Sequence, residues 1–122
     1  MGDWTIEYEE DFEVETRGYP ESVQKKLDAV GLVLEEFGPH LGRPTVDTLK
    51  GSKHANMKEL RFSTADGVWR VAFAFDTRRR AILLAGGNKQ GVGEKGFYRK
   101  LIKVADQRFD RHLARLGRGG GV

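Results

Sequence analysis

The stretch MKELRFSTADGVWRVAFAF, residues 57–75, carries the clearest secondary-structure pattern in this 122-residue chain. Apolar and polar side chains alternate along 57–63 and again along 68–75, as in β-strands that bury one face. The four residues between them, Thr64–Gly67, include the Asp-Gly pair that favours a tight turn between antiparallel strands. The stretch therefore predicts a β-hairpin.

Outward from the hairpin, the pattern predicts strands and helices on both sides. Towards the C terminus we expect a turn at 76–79, a third strand at 80–85, a glycine-rich loop at 86–93, a helix from Phe97 to Leu116 and a loose tail at 116–122. Towards the N terminus we expect a strand at 4–8 at or near a sheet edge, helices at 11–19 and 20–37, and an irregular connector at 41–56. This order predicts a single domain, residues 1–122, of the α+β class, in which an antiparallel sheet is packed against N-terminal helices and a C-terminal helix.

Composition narrows the class of protein before any site is considered. The chain is 39% hydrophobic and 10% aromatic, which is enough for one packed core, and no run approaches the roughly 18 apolar residues of a membrane helix. Its start, Met1–Trp4, lacks the basic and apolar regions of a secretory signal, so we expect a cytoplasmic protein without a membrane partner. With no cysteine and three separated histidines, we expect neither a metal site nor a cofactor.

Charge is divided unevenly along the chain. Residues 1–49 hold 12 acidic and 4 basic side chains, a net charge of −8, whereas residues 50–122 hold 6 acidic and 17 basic ones, a net charge of +11. A basic half of this density favours binding to polyanions, of which phosphate backbones are the commonest. Acidic protein partners, or a solvated surface with charges of both signs, are the alternatives.

The alternation also predicts which side chains share a face of the hairpin. Leu60 and Phe62 must lie with the apolar residues of the second strand for the sheet to bury one side. Glu59, Arg61 and Arg70 then lie together on the opposite face. Guanidinium groups in this arrangement can hold a phosphate through paired hydrogen bonds, so we expect an anion site on an open sheet face. Simple cross-strand salt bridges are the alternative.

The turn decides how close the two arginines are. A two-residue loop at 65–66 places Arg61 directly opposite Arg70, whereas a loop at 66–67 makes them diagonal neighbours. Like charges so placed are destabilising, so we expect Glu59, another acid or a bound anion to balance them. We expect the rest of this face to carry mostly small residues, namely Ala72, Ala74, Ala81, Leu83, Ala85 and Gly87.

Further cations flank the hairpin and the third strand. One group lies just before the first strand of the hairpin or at its start and consists of Lys50, Lys53, His54 and Lys58. A second group follows the third strand and consists of Lys89, Lys95 and Tyr98. The second group joins the arginines only if the start of the last helix folds back over the sheet. His54 is a candidate acid or base because imidazole titrates near neutrality, and an ordinary surface histidine is the alternative.

Four motifs, in chain order, resemble the RelE-type toxins of bacterial toxin-antitoxin pairs, in the HigB or phage-derived Gp49-like branch. They are the stretch from Gly38-Pro39 to Gly51-Ser52, Lys58–Phe62, Trp69–Phe75, and Asn88-Lys89 with Glu94-Lys95. One departure is Gly86-Gly87, because members often carry an aromatic residue or histidine before the loop lysine. Tyr98 could replace that residue by reaching back from the helix.

The resemblance implies a RelE-like fold and a ribosome-dependent endoribonuclease. Such an enzyme cleaves messenger RNA on the ribosome, in contact with ribosomal RNA, through attack of the RNA's own 2′-hydroxyl without a metal. It is silenced by a cognate helix-turn-helix antitoxin. By resemblance, the catalytic residues are Arg61, Arg70 and Lys89, and the RNA-binding residues are Lys50, Lys53, His54, Lys58, Lys95 and Tyr98. A ParE-like inhibitor of DNA gyrase and a noncatalytic RNA-binding domain are the alternative functions.

Overall fold

The structure, a computed structural model, describes residues 3–120 and the side chains of residues 3–117. The strands are β1 (Thr5–Tyr8), β2 (Val46–Thr48), β3 (Met57–Thr64), β4 (Gly67–Phe75) and β5 (Arg80–Asn88). The helices are α1 (Glu10–Thr16), α2 (Glu21–Phe37) and α3 (Glu94–Gly120), with a short 3-10 turn at Gly38–His40. The α+β class is confirmed. No helix of the described chain has the length and apolar character needed to cross a membrane.

The five strands form one sheet in the order β1-β5-β4-β3-β2. The predicted hairpin is β3 and β4, and the pairing of Thr64 with Gly67 leaves a two-residue loop at 65–66. The predicted strand at the sheet edge is β1, but it pairs with β5 in parallel, so the sheet is mixed. Because most of the chain separates β1 from β5, no tight turn forces the antiparallel orientation on this pair.

Helices cover both faces of the sheet. Side chains of α1 and α2 pack on one face against Leu60, Phe62 and Val71, which confirms the apolar face predicted for the hairpin. On the other face, α3 packs against a second core that includes Ala72 and Ala74. The expected open face carrying the arginines is therefore wrong, since α3 lies across it.

A β-bulge in β5 changes the predicted face of its first residues. Ala85 pairs with Ala72, but Leu83 pairs with Phe73, so β5 has one extra residue, Leu84, at this point. The extra residue reverses the alternation. Ala85 and Gly87 lie on the Arg70 face as predicted, whereas the prediction is wrong for Ala81 and Leu83, which belong to the core on the α2 side.

Three other boundaries differ from the predictions. The connector at 41–56 contains β2, whose three residues are too few to show a period. The strand β5 extends to Asn88 through the two glycines. The helix α3 continues to Gly120 instead of ending near residue 116, because a glycine lowers helix stability by only about 1 kcal/mol and does not force an end. The rest of the expected tail, residues 121 and 122, lies outside the described residues.

The acidic and basic halves of the chain neutralise one another in part. Acidic side chains on and just before α1 form ion pairs with arginines on the second half of α3. The pairs are Glu9 with Arg108 and Arg111, Asp11 with Arg111, Glu15 with Arg108, and Glu10 with Arg115. The hydrogen bond from Arg111 lowers the pKa of Asp11. Many of the acidic side chains near α1 are therefore paired with arginines of α3. Only the cations outside these ion pairs are available to bind a polyanion.

Replacing Gly67 by alanine is expected to destabilise the hairpin turn by about 1–3 kcal/mol. Gly67 has φ of 137°, which an L side chain rarely adopts, and a Cβ there would collide with the Asn88 side chain. That side chain accepts a hydrogen bond from Val68 N and donates one to the Asp66 carbonyl oxygen. Urea denaturation measures the loss. Gly93→Ala is the control, because its Cβ would meet nothing within 4 Å, and an equal loss in both variants would contradict this account.

Candidate functional site

Arg61 and Arg70 are direct partners across β3 and β4, as a two-residue loop predicts. The backbone N–H of Arg61 donates to Thr45 O on the far side of β3, at 2.8 Å. The two arginines therefore form a non-hydrogen-bonded pair, the type in which opposed side chains come closest. Two guanidinium groups on one face at this spacing repel each other unless an anion lies between them.

Glu59 and Asp47 supply that negative charge. The Glu59 carboxylate is 5% exposed and lies with Oε2 at 3.5 Å from Arg61 Nη1 and Oε1 at 3.7 Å from Arg70 Nε. Asp47 Oδ2 lies 3.9 Å from Arg61 Nη1. The expectation that Glu59 or another acid balances the arginines is confirmed. Sequence reasoning missed Asp47 because it lies on β2, whose three residues are too few to show a period.

Tyr98 joins this cluster from α3. Its hydroxyl donates to Glu59 Oε1 at 2.8 Å and accepts from Arg70 Nε at 3.3 Å. Burial raises the pKa of Tyr98, its hydrogen bond to Glu59 raises it further, and Arg70 opposes both. The phenol therefore keeps its proton at neutral pH. The start of the last helix folds back over the sheet, as the sequence required for Tyr98 to reach the arginines.

The arginine cluster consists of four side chains, those of Glu59, Arg61, Arg70 and Tyr98. Its members differ in exposure. The Arg61 side chain is 29% exposed, whereas that of Arg70 is 8% exposed beneath Tyr98 and also donates to Trp69 O at 2.9 Å. Solvent therefore reaches the cluster from the Arg61 side.

Lys89 lies one step beyond the end of β5, on the cluster's face. Gly87 is the register partner of Arg70, and Lys89 is two residues further along, so both point to the same side. Lys89 Nζ is 3.3 Å from Glu94 Oε1 at the start of α3, and Lys95 is exposed on the next residue. These two lysines lie at the end of the sheet where α3 begins.

The remaining predicted residues lie away from the cluster. Lys53 Nζ and His54 Nε2 contact Asp110 of α3, at 2.5 and 2.8 Å. Asp110 follows Tyr98 by about 18 Å of helix, so His54 is not brought to the arginines. Lys58 is on the opposite face of β3 from Arg61, since it pairs with the core residue Phe73. Lys50 is exposed in the turn after β2.

The two glycines at the end of β5 leave room for aromatic side chains on both faces of the sheet. A Cβ on Gly87 would lie 3.1 Å from the Phe97 ring, and one on Gly86 would lie 3.0 Å from Tyr19 Oη on the other face. Phe97 therefore packs directly on the strand beside Arg70, and Tyr98 follows it into the cluster. Among the side chains of residues 3–117, no three are grouped as metal ligands would be.

Known proteins share both the sequence and the fold. Residues 15–110 match the family described as phage derived protein Gp49-like (DUF891). The chain is 53% identical over 85 residues to HigB2 of Mycobacterium tuberculosis, named as a candidate toxin, with 69% of this chain and 42% of that protein aligned. It is 49% identical over 88 residues to HigB3 of the same organism, also named as a candidate toxin, with 72% and 75% aligned. The chain thus spans less than half the length of HigB2.

A solved structure of the E. coli toxin RelE, a free-state mutant with two arginines replaced by alanine, has the same fold with a TM-score of 0.60. The two chains are 14% identical, and 84% of this chain and 95% of that one are aligned. The architecture is therefore that of the RelE-type fold. The chain belongs to the phage-derived Gp49-like family, in the HigB branch that its motifs indicated.

Proposed function

We propose that this chain is the toxin of a toxin-antitoxin pair and that its arginine cluster cleaves messenger RNA on the ribosome. The observation that carries the proposal is the directly opposed pair Arg61 and Arg70, held with a buried carboxylate and a protonated phenol. Paired guanidinium groups suit a phosphate, and a carboxylate with a phenol suits proton transfer. The family of the chain and the names of its relatives support the same function.

The chemistry is attack of a ribose 2′-hydroxyl on the adjacent phosphorus. The bond from the 2′-oxygen to phosphorus forms, the bond to the 5′-oxygen breaks, and the products are a cyclic phosphate and a 5′-hydroxyl. Glu59 accepts the proton of the 2′-hydroxyl, and Tyr98 holds a proton for the leaving 5′-oxygen. Arg61, with Arg70 beneath it and Lys89 at the strand end, stabilises the charge that develops on the phosphoryl oxygens.

The free protein holds this machinery in a closed state. The Tyr98 proton is bonded to Glu59, and Glu59 lies between the two arginines. A substrate phosphate must therefore arrive from the exposed Arg61 side and draw the guanidinium groups away from Glu59. This exchange releases Glu59 to act as a base at the moment when substrate is bound.

The partners of the proposed toxin follow from the cations that the internal ion pairs do not use. Exposed cations lie along the first half of α3, where they can bind the phosphates of ribosomal or messenger RNA. They are Lys95, Arg99, Lys100 and Lys103. The antitoxin is proposed to be a helix-turn-helix protein, and the site of action the bacterial cytoplasm. Lys50, which is exposed, belongs to the outer RNA surface in the proposal, whereas Lys53 and His54 are already paired with Asp110 and Lys58 lies on the other face of the sheet.

The function is tested by translating a reporter message on purified ribosomes and mapping the cut ends. Cuts are expected with ribosomes, and none or far fewer on the free message. Arg78→Ala is the matched control for Arg61→Ala. Arg78 is exposed in the turn between β4 and β5, far from Arg61 in the sequence. An uncut message together with loss of gyrase supercoiling would favour the ParE-like alternative. RNA binding without any cut would favour a noncatalytic domain.

Binding of the antitoxin is expected to weaken as salt concentration rises. Between about 0.1 and 1 M salt the Debye length falls from about 10 to about 3 Å, which screens the cations exposed on α3. Titration of the purified partner at both salt concentrations measures the effect. An affinity that does not change would contradict this prediction and indicate an apolar interface, for which the exposed Leu32 and Phe37 of α2 are available.

A further inference from the structure

A cavity of about 670 Å³ lies between the second half of β5 and the first half of α3. Its wall on α3 includes the apolar side chains of Phe97, Leu101 and Val104, with Lys100 and Arg108 beside them. Its wall on β5 includes Gly86 and Gly87. The volume lies in the range of about 300–1,000 Å³ that is usual for small-molecule sites. None of the four residues of the arginine cluster lines it, so the cavity is a separate site.

The cavity adjoins the arginine cluster through shared elements. Gly87 lines the cavity and is the register partner of Arg70. Phe97 lines the cavity and precedes Tyr98 on α3, and its ring packs on Gly87. The cavity, at the edge of β5, therefore lies on the Arg70 face and two strands, about 10 Å, from Arg61 on β3.

The β5 wall of the cavity is a free sheet edge. The neighbouring strand β1 pairs with Arg80–Leu83 only, and Glu9 N donates to Leu83 O at 2.9 Å where that pairing ends. Arg108 Nη1 donates to the next outward carbonyl, Leu84 O, at 2.9 Å. Beyond this point, no strand of the described chain continues along β5.

The alternation of hydrogen bonds along this edge directs the N–H and C=O of one residue, Gly86, into the cavity. Lys89 N donates to Val68 O of β4, so Gly87 and Ala85, which are two and four residues earlier, also face β4. The N–H and C=O of Gly86 then point outward, towards the cavity that Gly86 lines. The cavity therefore presents the outward N–H and C=O of Gly86 on a backbone held by the sheet, with those of Asn88 next along the same edge.

These features suit a nucleobase. The Watson–Crick edge of every base carries a donor and an acceptor side by side, which match the N–H and C=O of Gly86. The apolar wall with Phe97 suits the flat face of a base, and the exposed Lys100 at the rim suits its phosphate. An added protein strand fits less well, because Gly86 and Asn88 alone offer outward backbone groups, whereas strands usually have about five or six residues.

We propose that this cavity is a nucleobase pocket, which takes the base of the nucleotide adjoining the scissile phosphate and so selects where the message is cut. The placement beside the cut rests on the proposed function, whereas binding of a nucleotide in the cavity does not depend on it.

The test is a titration of the isotope-labelled protein with AMP, GMP, CMP and UMP, followed by amide NMR. At least one nucleotide is expected to shift the Gly86 and Gly87 signals. Gly96→Phe fills the cavity, since Gly96 lines it and a Cβ there meets nothing within 4 Å, and it is expected to weaken this binding at least about 10-fold. The control is Gly117→Phe, an open helical position outside the cavity, and it should bind like the wild type.

The outcomes separate this proposal from the proposed function. If none of the four nucleotides shifts these signals, or if Gly96→Phe binds as tightly as the wild type, the pocket is wrong whether or not messages are cut. If nucleotides bind as expected but ribosome-bound messages stay intact, the pocket stands and the proposed function is wrong. If an antitoxin protects the Gly86 amide from hydrogen exchange while nucleotides do not shift it, the edge binds a protein strand and the pocket is overturned. In a cleaving enzyme, Gly96→Phe is expected to change the base preference at the cut, whereas Gly117→Phe is expected to keep the wild-type preference.

Discussion

Replacing Arg61 by alanine is expected to lower ribosome-dependent cleavage by a factor of about 100 or more while the protein stays folded. Arg61 is the more exposed of the two arginines, and it faces the side from which solvent reaches the cluster. Removing a charge that stabilises a transition state typically costs about this factor. Its ion pairs with Glu59 and Asp47 are long, at 3.5 and 3.9 Å, so their loss costs little stability. Rates of cleavage and thermal melting of the same sample measure both effects.

Arg61→Lys and Arg70→Ala sharpen this prediction. Lysine keeps the charge at position 61 but loses the fork of two donors, so an intermediate rate is expected. Arg70→Ala should abolish cleavage and also destabilise the protein, because it leaves the buried Glu59 carboxylate with less positive charge beside it. Adding Glu59→Gln to Arg70→Ala should restore stability without restoring cleavage. Full cleavage by Arg61→Ala at equal protein concentration would contradict the site.

Replacing Asp76 by alanine is expected to lower the free energy of unfolding by about 3–5 kcal/mol and the melting temperature by about 10–20 °C. The Asp76 side chain is fully buried where β4 ends. It accepts hydrogen bonds from Arg80 Nε at 2.9 Å and from the backbone N–H groups of Arg78 and Arg80. His112 Nε2 of α3 lies 2.9 Å from its Oδ2. The change leaves these donors without their acceptor and separates α3 from the β4–β5 turn.

Glu21→Ala is the control for Asp76→Ala. Glu21 forms an exposed ion pair with Lys25 on α2, and such pairs contribute about 0–1 kcal/mol. Similar melting temperatures for the two variants would show that Asp76 does not hold the turn to α3.

The Asp76 carboxyl group makes the stability of the protein depend on pH in a defined direction. Burial alone would raise the pKa of Asp76, but the hydrogen bonds from His112, Arg78 and Arg80 outweigh it, so the pKa of Asp76 lies below its usual value of 3.8. A carboxyl group with a lowered pKa contributes stability that is present above its unfolded value and is lost as pH falls through the folded value. We expect the wild type to lose stability below about pH 4 more steeply than Asp76→Asn. Equal acid transitions would contradict this contribution.

The hairpin could be predicted in detail from the sequence because short-range rules govern it. Alternation of side chains predicted the two faces and left two positions for the loop. The loop at 65–66 is the one the structure has, and it makes Arg61 and Arg70 direct partners. The need to balance two opposed arginines predicted Glu59, another acid or a bound anion beside them, and Glu59 and Asp47 are the acids found there. These inferences depend only on residues within one hairpin.

What the sequence could not show depends on long-range packing. The bulge at Leu84 lets β5 bury Leu83 under α2 and Leu84 under α3, and no local pattern marks such an extra residue. The position of α3 over the arginines depends on its contacts with distant residues, such as the ion pair of Arg108 with Glu15. The same contacts place His54 beside Asp110, which removed the most obvious acid or base from the cluster.

The chemical groups at the cut ends distinguish attack by the RNA's own 2′-hydroxyl from hydrolysis by a metal-bound water. Messages cut on ribosomes by the wild-type protein are mapped and their termini identified, with Arg61→Ala as the inactive comparison and transition metals chelated. Attack by the 2′-hydroxyl predicts a 2′,3′-cyclic or 3′-phosphate on one fragment, a 5′-hydroxyl on the other, and no effect of chelation. Fragments ending in a 3′-hydroxyl, with cleavage lost on chelation of zinc or manganese, would require a metal-activated water and would contradict the account.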